Sequence, residues 1–247
     1  MKIKYVFNWL VAALLLTSCA TFADESAIRK RITAKFPKTT VDSINKMSFL
    51  GLYEVVLNGE LYYTDADFNY LIDGSVIDVN SMANLTAKRH HELEMEQARK
   101  SAFPFEQLPL DLAFKKVKGD GSRKIAVFSD PDCPYCKRLE KDLAKIENVT
   151  IYTFLLPLEG LHPNAPTVAR SVWCSEDKSK AWDDYMLRGV KPEAAGECEN
   201  PVDEIGKFGQ SKKINATPTL FFADGARVSG ALPAEDIERT LKELQNK

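Results

Sequence analysis

Two cysteines separated by two residues, in the run Cys133-Pro134-Tyr135-Cys136, are the feature that most constrains the fold of this chain. The apolar run 124–128 before them predicts a buried strand, and the large apolar residues of 136–147 fall on one face of a predicted helix. A cysteine at a helix start faces unpaired backbone N–H groups and the positive end of the helix dipole, which stabilise a thiolate. The thiolate is the attacking species in disulfide exchange, so the motif predicts redox chemistry.

The two sulfurs are expected to have different roles. Pro134 suits the first helical turn and leaves Cys133 as the exposed sulfur. Cys136, one turn further on, can attack Cys133 when that residue is held in a mixed disulfide. A zinc site is the first alternative, but it needs a second pair of ligands at comparable spacing, and the remaining cysteines and the three histidines are scattered. A structural Cys133–Cys136 disulfide is the second, although so short a loop would restrain little chain entropy.

The N-terminus predicts export. Residues 1–23 contain two early lysines, a short apolar run and small residues ending at Ala23, which is typical of a cleaved signal peptide. The run Leu16-Thr17-Ser18-Cys19 also resembles a bacterial lipoprotein box, in which Cys19 would carry a lipid, and a signal anchor is a third alternative. Export to an oxidising compartment permits stable disulfides. Cys174 and Cys198 are then expected to form a structural disulfide, with two buried free thiols as the alternative.

Two folded domains are predicted from 247 residues. Residues 24–84 form the first, with a helix carrying Ile28, Ile32 and Phe36 and with hairpins at Asn58-Gly59 and at 73–75. Residues 85–105 form a linker whose charged composition predicts an exposed helix with surface histidines at positions 90 and 91.

Residues 106–247 form the second domain. Its strand, helix and strand around the redox motif predict a βαβ unit. Helices are expected at 166–173 and 202–212, a hairpin at Asp224-Gly225, and a final helix carrying Ile237, Leu241 and Leu244. The formal net charge of −2 gives no basic field that would attract nucleic acid, and we expect neither a metal nor a cofactor.

A second signal lies in Asn215-Ala216-Thr217-Pro218-Thr219, just before a predicted strand and about eighty residues after the motif. Together with the cysteine pair it resembles the DsbC/DsbG family of bacterial periplasmic disulfide isomerases, and the DsbC branch most closely. The resemblance extends over nearly the whole chain after the signal peptide. It is carried by residues 51–53 through 79, by 127–130, by Trp173-Cys174 with Asp177-Lys178, and by Thr217-Pro218.

The resemblance implies an α+β fold with a cystatin-like N-terminal dimerisation domain, a linker helix and a C-terminal thioredoxin-fold domain with a helical insertion. It also implies a homodimer, exported client proteins and a membrane reductase of the DsbD type as electron donor. Cys133 would be the nucleophile and Cys136 the resolving thiol. Thr217 and a cis Pro218 would line the substrate groove with Pro134 and Tyr135.

One position departs from the DsbC pattern. Pro134 gives a DsbG-like dipeptide between the cysteines, where DsbC commonly has Gly-Tyr, whereas the predicted disulfide between Cys174 and Cys198 resembles DsbC. The function expected is therefore disulfide isomerase, and the alternatives are a DsbG-like reductase and chaperone or a thiol oxidase of the same fold.

Overall fold

The computed structural model describes residues 24–246, so the predicted signal peptide of residues 1–23 and the alternative lipid attachment site Cys19 lie outside the described residues. Within this range, no helix is both long enough and apolar enough to cross a membrane. The chain divides into two compact units between His90 and His91. Helices and sheets are mixed in each unit, which agrees with the predicted α+β class.

The first unit begins with helix α1, which covers residues 24–35. Its strands are β1 (Val41–Lys46), β2 (Tyr53–Leu57), β3 (Glu60–Thr64), β4 (Leu71–Ile72), β5 (Ile77–Asp78) and β6 (Ala83–Asn84). The first four form one antiparallel sheet in the order β1-β2-β3-β4, and β5 pairs with β6. Helix α2 (Leu85–Lys100) follows directly after β6.

The core of the first unit lies between α1 and the sheet. Ile28 and Ile32, four residues apart, are fully buried in one cluster with Tyr53 of β2. Phe36, the third member of the predicted stripe, lies just beyond α1. Its ring packs edge-on against the ring of Phe68, with 6.1 Å between the two ring centroids. The predicted amphipathic helix is therefore confirmed, with its apolar face against the sheet.

One of the two hairpins predicted in this unit is present. Asn58 and Gly59 join β2 to β3 with φ values of +52° and +83°, as a tight turn requires. The hairpin expected at residues 73–75 is wrong, because β4 pairs with β3 and β5 pairs with β6. The backbone of Val76 instead forms hydrogen bonds with the start of α2. Its carbonyl oxygen accepts from Leu85 N, and its N–H donates to Thr86 Oγ1.

The second unit has a five-stranded sheet with helices around it. Two 3₁₀ helices (Phe105–Gln107 and Leu110–Leu112) precede its strands, which are β7 (Phe114–Lys118), β8 (Arg123–Ser129), β9 (Val149–Leu155), β10 (Thr219–Phe222) and β11 (Arg227–Ser229). The sheet order is β11-β10-β8-β9-β7. The helices are α3 (Pro134–Leu143), α4 (Ala165–Cys174), α5 (Lys178–Arg188), α6 (Val202–Ser211) and α7 (Ala234–Gln245).

The central strand β8 positions the redox motif. It is parallel to β9 and connected to it through α3, which confirms the predicted βαβ unit. It is antiparallel to β10, with Thr219 opposite Phe128. In an antiparallel pair, residues before Thr219 lie beside residues after Phe128. The register therefore brings Thr217-Pro218 next to the start of α3.

Helix α2 differs from the exposed connector that its composition predicts. The side chain of His91 is buried, with Nε2 3.0 Å from Thr240 Oγ1 of α7. Met95 and Ala98, on the same helix, are buried in a cluster with Leu241 of α7. The apolar stripe of α7 needs a covering surface, and the second half of α2 supplies it, so the prediction of a surface histidine at position 91 is wrong.

Candidate active site

Cys133 is the residue immediately before α3, and its carbonyl oxygen accepts a hydrogen bond from Lys137 N at 3.1 Å. Pro134 is the first residue of the helix, where its missing N–H is no loss. The Cys133 sulfur therefore lies at the positive end of the α3 dipole, near backbone N–H groups that have no partner within the helix. The motif is placed as the sequence predicted, between the end of β8 and the start of a helix.

Cys133 is less accessible than predicted. Only 5% of the residue is exposed, and its Sγ donates a hydrogen bond to the carbonyl oxygen of Thr217 at 3.4 Å. The Thr217–Pro218 peptide bond is cis, and Pro218 is buried. The expectation of a freely exposed sulfur is therefore wrong, because the loop before β10 covers it. Proline has no N–H, so Pro218 adds no donor to this contact.

Cys136 is fully buried one turn into α3 and forms no disulfide with Cys133. Burial, which disfavours the charged thiolate, raises the pKa of Cys136 to about 12. The Ser129 hydroxyl and the backbone N–H of Asp130 act in the opposite direction, and Asp130 N donates to Cys136 Sγ at 3.4 Å. The neighbouring Cys133 raises the pKa further. Cys136 is therefore a protonated thiol at neutral pH.

The two middle residues of the motif face outward. Pro134 and Tyr135 are exposed, and the ring of Tyr135 is among the large apolar side chains that lie open on the surface. Thr217 is half-buried beside Cys133. The structure thus brings Cys133, Cys136 and Thr217 together, with an exposed aromatic ring next to them.

The inserted helices also contribute to this site, through a residue that the sequence analysis missed. Tyr185 of α5 donates a hydrogen bond from its hydroxyl to Asp132 Oδ1 at 2.5 Å. Burial and this carboxylate raise the pKa of Tyr185 to about 12. Lys137 Nζ lies 5.0 Å from the centre of the Tyr185 ring. No local pattern around position 185 marks this role, because the contact depends on how α5 packs.

Two further polar residues of the site lie in the stretch before the motif. Ser129 and Asp130 are both fully buried at the end of an apolar strand. Their signal is present in the sequence, because buried polar side chains need a partner, and two of them directly before a redox motif indicate a local role. His162, which contacts the Asp130 carboxylate, had no such signal.

Cys174 and Cys198 form a disulfide with a Cα–Cα distance of 5.6 Å. The bond joins the end of α4 to the segment before α6, within the helical insertion. Neither sulfur is a free thiolate, so this pair does not complement Cys133 and Cys136 as zinc ligands. Across residues 24–246, no group of three or more histidine, cysteine or acidic side chains is arranged to hold a metal ion.

Glu140 is a buried acid on α3, one turn after Cys136. Its Oε1 accepts a hydrogen bond from Trp182 Nε1 of α5 at 2.9 Å. Burial raises the pKa of Glu140 from 4.5 to about 7, although the Trp182 hydrogen bond and the positive charge of Lys116 oppose the shift. The folded protein therefore holds a proton on Glu140 that the unfolded chain releases at much lower pH.

We expect the effect of Glu140→Gln on the free energy of unfolding to be more favourable at alkaline than at acidic pH, relative to the unsubstituted chain. The folded pKa is raised, so the stability contributed by protonated Glu140 is fully present below pH 4.5 and is lost as pH rises through about 7. Glutamine keeps an acceptor for Trp182 and does not ionise. The difference in unfolding free energy between the two proteins should change by about 3 kcal/mol between about pH 4.5 and pH 8.

Urea denaturation at several pH values measures this difference. Glu193→Gln, at an exposed glutamate, is the matched control and should show no such change. A pH-independent difference for Glu140→Gln would contradict the assignment.

Comparison with known protein families agrees with the two-part organisation. Residues 110–245 match the family of thioredoxin-like domains, and residues 19–87 match the family described as the disulfide bond isomerase protein N-terminal domain. The first match alone covers more than half of the chain.

Individual relatives match over most of their length. A protein of Bordetella pertussis named probable thiol:disulfide interchange protein DsbC is 41% identical over 215 residues, which are 87% of this chain and 73% of the relative. The thiol:disulfide interchange protein DsbC of Escherichia coli is 27% identical over 240 residues, 94% of this chain and 95% of the relative. A crystal structure of a disulfide interchange protein from Neisseria gonorrhoeae is 45% identical, with a TM-score of 0.54, and covers 56% of this chain and 99% of that one.

Proposed function

The chain belongs to the DsbC family of thiol:disulfide interchange proteins, and we propose that it reshuffles incorrect disulfides in exported proteins through Cys133 and Cys136. The observation that carries this proposal is the pair of unlinked thiols at the start of α3, with Cys133 5% exposed beneath the loop before β10 and Cys136 fully buried. Such a pair suits a nucleophile that contacts the client and a second thiol that is shielded from it.

The proposed reaction begins when the Cys133 thiolate attacks a client disulfide. A sulfur–sulfur bond forms between Cys133 and the client, and the other client sulfur leaves as a thiolate that takes up a proton. A second client thiol can then attack the mixed disulfide, which releases a client with a new pairing. Alternatively Cys136 attacks, which releases a reduced client and leaves a Cys133–Cys136 disulfide.

The burial of Cys136 favours the first of these routes. With a pKa of about 12, its sulfur is protonated at neutral pH and its attack on Cys133 is slow. The mixed disulfide then persists long enough for the client to rearrange. Pro134, Tyr135, Thr217 and Pro218 surround Cys133 and are the proposed contacts of an extended client segment.

An isomerase has to begin each cycle with both thiols reduced. We therefore infer an electron donor of the membrane reductase type represented by DsbD, and the periplasm as the compartment in which the two meet. Residues 1–23 are the proposed signal peptide, and lipid attachment at Cys19 is the alternative. The pairing of Cys174 with Cys198 supports an oxidising location.

A homodimer through the first unit completes the proposal. Strand β4 is at the edge of its sheet, and both of its residues, Leu71 and Ile72, are 44% exposed. Tyr70, immediately before β4, is also exposed, and we call the consecutive residues Tyr70, Leu71 and Ile72 the edge patch. An exposed apolar edge strand tends to pair with another chain, and pairing with a second copy would satisfy its backbone and cover the patch.

The function is tested by incubating the reduced protein with a scrambled multi-disulfide protein in a glutathione buffer. We expect recovery of the native pairing at a rate that increases with the protein concentration. The alternatives give different results. A thiol oxidase would oxidise a reduced client rapidly and leave the scrambled client unchanged, whereas a chaperone would act equally well without Cys133 and Cys136. Either outcome would contradict the proposal.

A further inference from the structure

Asp130 connects both redox cysteines to the rest of the site. Its backbone N–H donates to Cys136 Sγ at 3.4 Å, and its backbone oxygen accepts a hydrogen bond from Cys133 N at 3.3 Å. The side chain is fully buried. Any displacement of Asp130 therefore changes the surroundings of both sulfurs.

A buried carboxylate is costly unless hydrogen bonds replace its water. Two of those bonds come from the backbone, since Asp132 N donates to Oδ1 at 2.8 Å and Leu158 N donates to Oδ2 at 2.6 Å. The third comes from a side chain, since His162 Nδ1 lies 3.0 Å from Oδ2. An ionised carboxylate only accepts hydrogen bonds, so the imidazole donates to it.

His162 is well placed to control this carboxylate. Its side chain is 22% exposed, so the ring spans from solvent to a fully buried acid. It lies in the turn between β9 and α4, where His162 N bonds to Leu158 O and Ala165 N bonds to His162 O. The turn is thus fixed by the backbone, and the imidazole is held in reach of Asp130.

We propose that His162 is a positioning residue of the redox centre, which acts through Asp130 to set the balance between the dithiol and disulfide forms of Cys133 and Cys136. The inference rests on the proposed function only in taking these two cysteines as the redox pair. Other charged or titratable groups around the motif are Asp132, Tyr185 and Lys137. None of them donates to the Asp130 carboxylate through its side chain among the described contacts.

The direction of the effect follows from charge. Without His162, the Asp130 carboxylate loses a donor that offsets its negative charge. A less compensated negative charge beside the motif disfavours the thiolate of Cys133, and the reduced form loses stability relative to the disulfide. The pair should then be easier to oxidise.

Equilibration with glutathione measures this balance directly. The Cys133–Cys136 dithiol gives up two electrons and two protons as its sulfur–sulfur bond forms, and glutathione disulfide is reduced to two glutathione thiols. His162→Leu should shift the equilibrium towards the protein disulfide by about fivefold, because the uncompensated Asp130 charge disfavours the thiolate, which only the reduced form contains. His162→Asn retains an N–H donor at the position of Nδ1 and should remain within about twofold of the unsubstituted chain.

His90→Leu, the same substitution at an exposed histidine, is the control and should leave the equilibrium unchanged. If His162→Leu does not fold, His162→Ala is used in its place, and the same shift is expected. An unchanged equilibrium in the leucine or alanine variant would overturn the proposal, and so would an equal shift in the asparagine variant. Failure of the unsubstituted protein to exchange with glutathione would instead contradict the proposed function.

Discussion

Replacing Cys133 with alanine should reduce thiol–disulfide exchange by roughly a thousandfold or more, because the attacking thiolate is removed. Replacing Cys136 with alanine should have a different result. Cys133 can still attack a client, but a mixed disulfide that the client does not break by its own rearrangement loses the slower release through Cys136, so covalent complexes should accumulate. Non-reducing electrophoresis of the two variants, incubated with a scrambled client, separates these outcomes.

Two further measurements test whether Cys133 is the cysteine that attacks the client. Mass spectrometry of the trapped complex should find the client attached to Cys133. The double variant Cys174→Ala/Cys198→Ala removes the other cysteines and should keep exchange, since these sulfurs are already joined to each other. Exchange that survives in Cys133→Ala, or a client attached through Cys136, would reverse the roles.

The second large effect is expected at the edge patch. Leu71→Lys/Ile72→Lys places two positive charges on β4, and a two-fold axis would bring them near the same charges of the partner. The dimer dissociation constant should increase by more than about tenfold, or roughly 1.4 kcal/mol. The monomer should still exchange with glutathione but should rescue scrambled clients poorly. Size-exclusion chromatography with light scattering gives the assembly state.

The other sheet offers a matched control. Val117 is 56% exposed on β7, which is also an edge strand, but it lies in the second unit. Val117→Lys should leave both the dimer and the isomerase activity intact. A dimer that persists in the β4 variant, or one that dissociates in the β7 variant, would place the interface elsewhere.

The predictable parts of the fold have strong local signals. The turns at Asn58-Gly59 and Asp224-Gly225 are present, because glycine and asparagine adopt the positive φ values that these hairpins need. Strand β1 was missed, since four of its six residues are polar. Strand β7 was missed because lysines occupy three of its five positions, as edge strands often allow.

The candidate site shows the same division between local and tertiary information. The position of the cysteine pair follows from a strand that is followed directly by a helix. The cover over Cys133 does not, because it depends on the register of β10 against β8. Helix α5, which brings Tyr185 to the motif, was not predicted separately, and its N-terminal cap Asp177 is the local signal that marks its start.

The disulfide in the helical insertion gives this chain a folding problem of its own. Residues 24–246 contain four cysteines, which can form two disulfides in three ways. Only one of the three includes the Cys174–Cys198 bond found here, and the other two would consume Cys133 and Cys136 in bonds to the insertion. A newly made chain must therefore find its own native pairing before it can correct the pairing of other proteins, and a mature copy is a suitable catalyst for that step.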